Sequence, residues 1–389
     1  MATAPLDLLL GPDARDLVQA VLAGDRLAEL RPATVNLQPS GSTVVRYSAY
    51  LERNGRRVRE TVVATAGSRI PPGSTVLEGS VNGETVRVGM WRWPNDPALP
   101  ALRWAVRAER LARFLRDTGV PCPDRPTVTV TGYRPGRRAV LEVTGGEETL
   151  YCKVVRPSQV GGLRRRHELL AAGLPVPPVV AADDDGLLVL PALPGTAART
   201  VLAEGGPLPD AAALDALLDR IPDAVLELPG RPGHVENAAH FASVLELTAE
   251  RDPTSRGRLR EVVDRLAEVD LAAHPVVPVH GDFYEGQLLL DGGVVTGLLD
   301  VDTAGPGLRV DDWATLIAHL EVLNRPTARD WSAQLLVEVE RRYGREQLRP
   351  RVAAALLGLA TGPFRVQQRN WARHTAHRID LAARWLSKA

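Results

Sequence analysis

Two aspartates eighteen residues apart, Asp282 and Asp300, are the side chains of this 389-residue chain best able to do chemistry together. Asp282 follows His280-Gly281, Asp300 follows the apolar run Val294–Leu299, and the amide of Gln287 lies between them. A carboxylate can take a proton from a hydroxyl, and a second carboxylate with an amide oxygen makes a hard-oxygen pair suited to Mg²⁺. Phosphoryl transfer needs these parts: a base for the attacking hydroxyl, and ligands that hold the metal against the phosphates. On this reading Asp282 is the base, and Gln287 and Asp300 are the metal ligands. A hairpin between them brings the loop before one strand and the end of the next into one crevice.

The surrounding sequence supplies elements to position such a site. Up to about residue 100 the chain reads as an antiparallel sheet with a helix over Asp13–Leu22, which Asp13 could cap. Strands over Ser42–Glu52 and Arg57–Ala66 flank Asn54-Gly55, and strands over Ser74–Val81 and Glu84–Trp93 flank Asn82-Gly83. Asn-Gly tolerates the positive φ of a tight hairpin. Pro94, Pro97 and Pro100 mark a boundary, after which Leu102–Leu115 has helical periodicity. Strands follow over Val128–Tyr133, Arg138–Val143 and Thr149–Val155, then a helix over Gly162–Ala172 and strands over Val176–Ala181 and Leu187–Leu190. Beyond residue 208 the pattern is mostly helical except at 280–300. The expected organisation is a β-rich cap over 1–100, a nucleotide-binding lobe over 101–195 and a mostly helical lobe over 196–389 that carries the catalytic and acceptor sites.

Composition removes several function classes. Lys plus Arg and Asp plus Glu both number 47, which argues against a nucleic-acid partner held by phosphate neutralisation. No run approaches the roughly 18 apolar residues of a membrane span, and the N-terminal residues lack the pattern of a secretory signal. Two thiols, Cys122 and Cys152, cannot build a disulfide framework. A cytoplasmic protein, monomeric or weakly self-associating and without a membrane partner, is expected.

The motifs together resemble the aminoglycoside phosphotransferase and choline kinase superfamily, relatives of protein kinases. His280-Gly281-Asp282, Leu299-Asp300, and Asp312-Trp313-Ala314 twelve residues after Asp300 match its signature; Gln287 stands where the family usually has Asn. The resemblance implies an α+β, protein-kinase-like two-lobed fold, here with an extra N-terminal β-rich cap, and ATP and Mg²⁺ as cofactors. It implies that Lys153 contacts the nucleotide phosphates with Glu168 as its ion-pair partner. Leu190 to Leu193 would form the hinge, with Leu190 and Ala192 beside adenine. His280 and Asp312 would support the catalytic loop, Asp312 through backbone hydrogen bonds. The Arg134–Arg138 turn takes the place of a phosphate-covering loop, its arginines either contacting phosphate or solvated.

The acceptor must be read from other residues. Asp302 and Glu285 add negative charge that a cationic acceptor would use, or are solvated acids. Residues 364–374 read as one helix with Gln367, Asn370, Trp371 and His374 on one face, a pairing of amide and ring that suits a sugar, although Trp371 could equally pack in the core. The run from Asp300 to Gly307 with Asp311-Asp312-Trp313-Ala314 is similar to the glucosamine kinases of the actinobacterial maltokinase-like group. The expected activity is transfer of the γ-phosphoryl group to glucosamine, at its 6-hydroxyl, an amino-sugar small molecule. The alternatives are an aminoglycoside phosphotransferase, a maltokinase, or a nucleotide-binding pseudokinase regulator without transfer activity.

Overall fold

The computed structural model describes residues 4–22, 24–67, 70–81, 84–249, 253–270 and 274–387. Its fold is mixed α and β, with β-sheets in the N-terminal half and helices in the C-terminal half. Fifteen strands are assigned among the described residues. The first five, β1 Arg26–Leu37, β2 Thr43–Arg53, β3 Arg56–Ala66, β4 Thr75–Val81 and β5 Glu84–Arg92, form an antiparallel sheet in the order β1-β2-β3-β5-β4. Alternating burial along β2 turns Val45, Tyr47 and Ala49 onto Leu9 and Val18 of two short N-terminal helices. The Tyr47 hydroxyl donates to the Leu9 carbonyl at 2.6 Å. Asn54 and Gly55 both take positive φ at the β2–β3 turn, while the Asn82-Gly83 turn lies outside the described residues. β1 was not legible because Pro32 interrupts its pattern, and the ladder shifts register there.

The second sheet runs β6-β7-β8-β10-β9, with β6 Thr127–Arg134, β7 Arg138–Thr144, β8 Leu150–Val155, β9 Ala181–Asp183 and β10 Leu187–Pro191. The strand expected over Val176–Ala181 is mostly an extended connection. Pro177 and Pro178 have no N–H to give a ladder, and pairing begins only at Ala181. The helix expected over Leu102–Leu115 is two helices, Leu102–Ala105 and Ala108–Asp117, because Arg107 adopts an extended conformation between them. Both halves bury apolar residues in a core shared by Trp91 of the first sheet and Leu141 and Cys152 of the second. Asp96, fully buried in the linker, ties the sheets further. It accepts from the Tyr133 hydroxyl at 2.8 Å and from the Gly136 amide at 2.7 Å, so it anchors the tip of the β6–β7 turn.

In the C-terminal half, β11 Thr196–Ala197, β13 Leu288–Asp291 and β14 Val294–Leu298 form a small sheet, and β12 Val277–Val279 pairs with β15 Gly305–Gly307. These strands sit on a helical core centred on Trp313, Phe283 and Leu316. No helix among the described residues is long and apolar enough to cross a membrane.

Candidate active site

The hairpin of β13 and β14 performs the juxtaposition that the sequence required. Leu288 pairs with Leu298, and the Leu299 amide donates to the Gln287 carbonyl at 2.8 Å, so the loop carrying Asp282 and the strand end carrying Asp300 are neighbours. His280 adds a second tie. Its Nδ1 faces the Asp282 amide at 3.3 Å, which makes Nδ1 the acceptor and leaves Nε2–H to donate to the Leu299 carbonyl at 2.9 Å. The tautomer is thereby fixed by backbone groups on both sides. Asp312, 1 % exposed, accepts from the His280 amide at 2.9 Å and the Gly281 amide at 2.8 Å. Gly281 has φ +78°, and a Cβ there would lie 2.7 Å from the Thr303 carbonyl oxygen. Only glycine fits between the two aspartates.

Asp282 is half-buried and lies where three cavities meet. Burial pushes its carboxyl above the ordinary range, and the nearby Asp300 charge adds to the shift. A carboxylate so placed is a better proton acceptor than a solvated one. Asp300 is opposite in character. Burial would raise it, but Lys153 and Arg138 outweigh that and hold it well below the usual carboxylate range. Its oxygens accept from Lys153 Nζ at 3.0 Å and from Arg138 at 3.1 and 3.2 Å. Asp300 itself is left-handed, φ +53°, an uncommon conformation that Asp tolerates better than most residues. Gln287 is buried beside this loop. Mg²⁺ is commonly held by one or two carboxylates plus substrate phosphates, so the hard oxygens of Asp300 and Gln287 fit it. Arg138 and Lys153 take up the Asp300 carboxylate in this structure.

Several expected partners lie elsewhere. Lys153 does not meet Glu168: its ammonium bonds Asp300 and Asp302, while Glu168 is exposed and pairs with Arg164 at 2.8 Å. The helix Pro157–Ala171 turns His167 inward instead, with Nδ1 at 2.8 Å from the Pro177 carbonyl. Asp302 is consequently a partner of Lys153 and Arg138 rather than a free acid. Glu285 is fully buried and pairs with Arg199 at 2.5 Å. At the hinge, the Ala192 amide already donates to the Thr149 carbonyl at 2.9 Å. By the alternation of an antiparallel ladder, Leu190 also turns its polar groups toward Tyr151 of β8, and Pro191 turns its carbonyl the other way.

The helix expected over 364–374 is broken. One helix ends at Arg365, the next starts at Trp371, and Gln367 and Asn370 between them have positive φ. Asn370 is exposed, and Trp371 packs edge-on against Phe364 at 4.8 Å, joining the core of the first sheet. Neither lines a cavity that Asp282 shares, because the indole buries more apolar surface against Phe364 than it could over an open crevice. The ring beside Asp282 is Phe241, which sits against Gly358. It is accompanied by His234, whose Nε2 lies 2.8 Å from the Thr315 hydroxyl, and by His319, stacked on Tyr284 at 3.9 Å. Burial lowers the imidazoles of His234 and His319 to about 4 and about 3, so both are neutral at pH 7. No local motif marked these residues, which come from three separate segments.

Residues 129–355 match the model of the phosphotransferase enzyme family, a span that includes the Lys153, Asp282, Asp300 and Asp312 geometry. The chain belongs to that family. Its fold is shared by solved structures at low identity. One is a thermostable mutant of the aminoglycoside phosphotransferase APH(4)-Ia in complex with ADP and hygromycin B, 14 % identical, TM-score 0.50, covering 71 % of this chain and 98 % of the other. Another is a Ralstonia eutropha JMP134 protein assigned to the aminoglycoside phosphotransferases, 13 % identical, TM-score 0.51, covering 72 % and 98 %. A search of curated proteins found no match. As a member of the phosphotransferase enzyme family the protein is an enzyme of phosphoryl transfer.

Proposed function

We propose that the protein is an ATP- and Mg²⁺-dependent kinase that phosphorylates a hydroxyl of a sugar-sized acceptor, with Asp282 as the general base. The observation that carries this reading is the division of character between the two aspartates. Asp282 is unpaired, raised by burial and open to the crevice, while Asp300 is held ionised by Lys153 and Arg138. One group is suited to receive a proton and the other to hold a cation. Asp300 and Gln287 would hold Mg²⁺, which neutralises phosphate charge when bound. Lys153 and Arg138 would then turn toward phosphate oxygens, Pro191 and Leu193 would offer the hinge its backbone groups, and His280 and Asp312 would fix the position of the Asp282 loop. The pseudokinase alternative predicts binding without transfer.

For the acceptor, the finer reading is glucosamine phosphorylated at its 6-hydroxyl, favoured by the sequence resemblance. Asp302 and Glu285 are engaged, and Asp311, which lines the same cavity of about 500 Å³ as Asp282, is paired with Arg351 at 3.2 Å, so an ammonium would compete with Arg351 for it. An aminoglycoside or maltose would compete for the same space. The test is Asp282→Asn in an ADP-release assay run over glucosamine, glucose, maltose and kanamycin. The expected result is a fall in kcat of about 10²- to 10⁴-fold, with ATP affinity within about threefold of wild type. Turnover within tenfold of wild type would remove Asp282 as the base.

A further inference from the structure

The crevice beyond Asp282 is cationic on the side away from Asp300 as well, where Arg365 stands. A cavity of about 400 Å³ opens from Asp282 between the helices Arg309–Leu323 and Arg345–Ala360 and the edge strand β1. Arg134, Arg137 and Arg365 line it, with Asn36 of β1 opposite, and Asp282 is the one acid in its wall. Arg231 stands in the adjoining cavities with Arg137 and Asp282. Among the described residues none of these four guanidinium groups has a hydrogen-bond or ion-pair partner. Arg134, Arg137 and Arg231 are exposed and Arg365 is half-buried, whereas the buried Arg351 is paired with Asp311 at 3.2 Å.

Crowding them has a cost. Burial first, then the neighbouring charges of Arg134 and Arg137, weaken the protonation of Arg365, and Arg137 is weakened in the same way by burial and by Arg134, Arg156 and Arg231. Unanswered like charges in a concave site create a potential that draws an anion, and the arginine fork suits carboxylate or phosphate oxygens. Arg365 is the guanidinium that stands apart from the Asp300 side. Arg134, Arg137 and Arg231 also border the cavity of about 390 Å³ that Arg138, Asp300 and Asp302 line, whereas Arg365 does not.

We propose that the acceptor carries an anionic group, a carboxylate or a phosphate, which Arg365 and Arg137 bind while its hydroxyl faces Asp282, and that Asn36 makes the N-terminal cap part of the acceptor site. The inference rests on the kinase reading and departs from free glucosamine, whose ammonium would enter an arginine-lined cavity. Phe241 lies against the acceptor's ring or chain. Asn36 gives the cap a chemical role, since β1 also packs on the segment Gly362–Arg365 that carries Arg365.

The test is direct binding with the nucleotide site filled. Wild type saturated with a non-hydrolysable ATP analogue and Mg²⁺ is titrated calorimetrically with glucose, glucosamine, D-gluconate and glucose 1-phosphate; each retains a free 6-hydroxyl. Either anion should bind at least tenfold more tightly than glucose or glucosamine, which carry no anionic group, and which one does so distinguishes carboxylate from phosphate. Arg365→Gln should remove about tenfold of that preference, and Arg365→Lys should retain part of it. Retained affinity for the ATP analogue in each variant establishes that it is folded. Equal or tighter binding of glucose or glucosamine, or an anion preference that survives Arg365→Gln, would overturn the proposal. Tight anion binding with no ADP release once ATP replaces the analogue would instead leave the anion site standing and defeat the kinase reading.

Discussion

Replacing Asp312 with asparagine separates the scaffold of the site from its chemistry. The Asp312 carboxylate, buried at 1 % exposure, receives the His280 and Gly281 amides at 2.9 and 2.8 Å. Hydrogen bonds to a charged group are worth about 1.5–3 kcal/mol each. Asparagine keeps one acceptor oxygen, now uncharged, and points an NH₂ group at the other amide, so one bond is lost and one weakened. Against this stands relief of the cost of burying the carboxylate, whose pKa burial raises. The balance is a destabilisation of about 2–3 kcal/mol. The same amides flank Asp282, so the base is loosened from its position, and kcat should fall about 10²-fold. Lys153 and Asp300 do not touch Asp312, and ATP affinity should stay within about threefold. Urea unfolding of the ligand-free protein gives the first quantity, steady-state kinetics the others. Stability within about 0.5 kcal/mol of wild type together with kcat within threefold would refute the argument that these two bonds hold the loop.

Three further outcomes follow from the same geometry. Glu168→Ala should leave kcat and the KM for ATP within about twofold, because an exposed i,i+4 pair with Arg164 contributes only about 0.3–0.5 kcal/mol; Lys153→Met should lower kcat/KM for ATP by about 10²-fold or more. A tenfold loss in Glu168→Ala would show that the kinase-type ion pair forms during turnover. Asp311 offers a pH test. Burial pushes its carboxyl up to about 6, with Arg351 opposing and Asp312 adding to the shift. The folded state therefore holds the proton more tightly than the unfolded chain. Its stabilising contribution is complete below the unfolded value of about 3.8, declines as pH rises, and is gone above about 6. Asp311→Asn lacks this decline, so its stability relative to wild type should improve by about 1–3 kcal/mol between pH 4 and 7. Unfolding curves of both proteins across that range measure it, and a difference that is constant with pH would remove Asp311 as the titrating group.

The sequence by itself determined the parts whose information is local or carried by a spaced motif. The β2–β3 hairpin follows from Asn54-Gly55, and the strands β6 to β8 from alternation. The approach of Asp282 and Asp300 follows from the hairpin between them, since short-range turn chemistry and period-two patterning need no knowledge of the rest of the chain. Tertiary structure decided whatever depended on which face an element presents. The rotation of the helix Pro157–Ala171 turned His167 inward and Glu168 to solvent, a difference of one residue that helical periodicity alone does not settle. Lys153, left without Glu168, took Asp300 and Asp302, so Asp302 is not a free acid. Trp371 went to the core because Phe364 offered it apolar surface across a helix break that no local pattern announced. The arginine-lined cavity could not be read from the chain at all. Asn36, Arg137, Phe241 and Arg365 are separated by up to 329 positions in sequence, and only the packing of the cap against the last helices gives them a common wall.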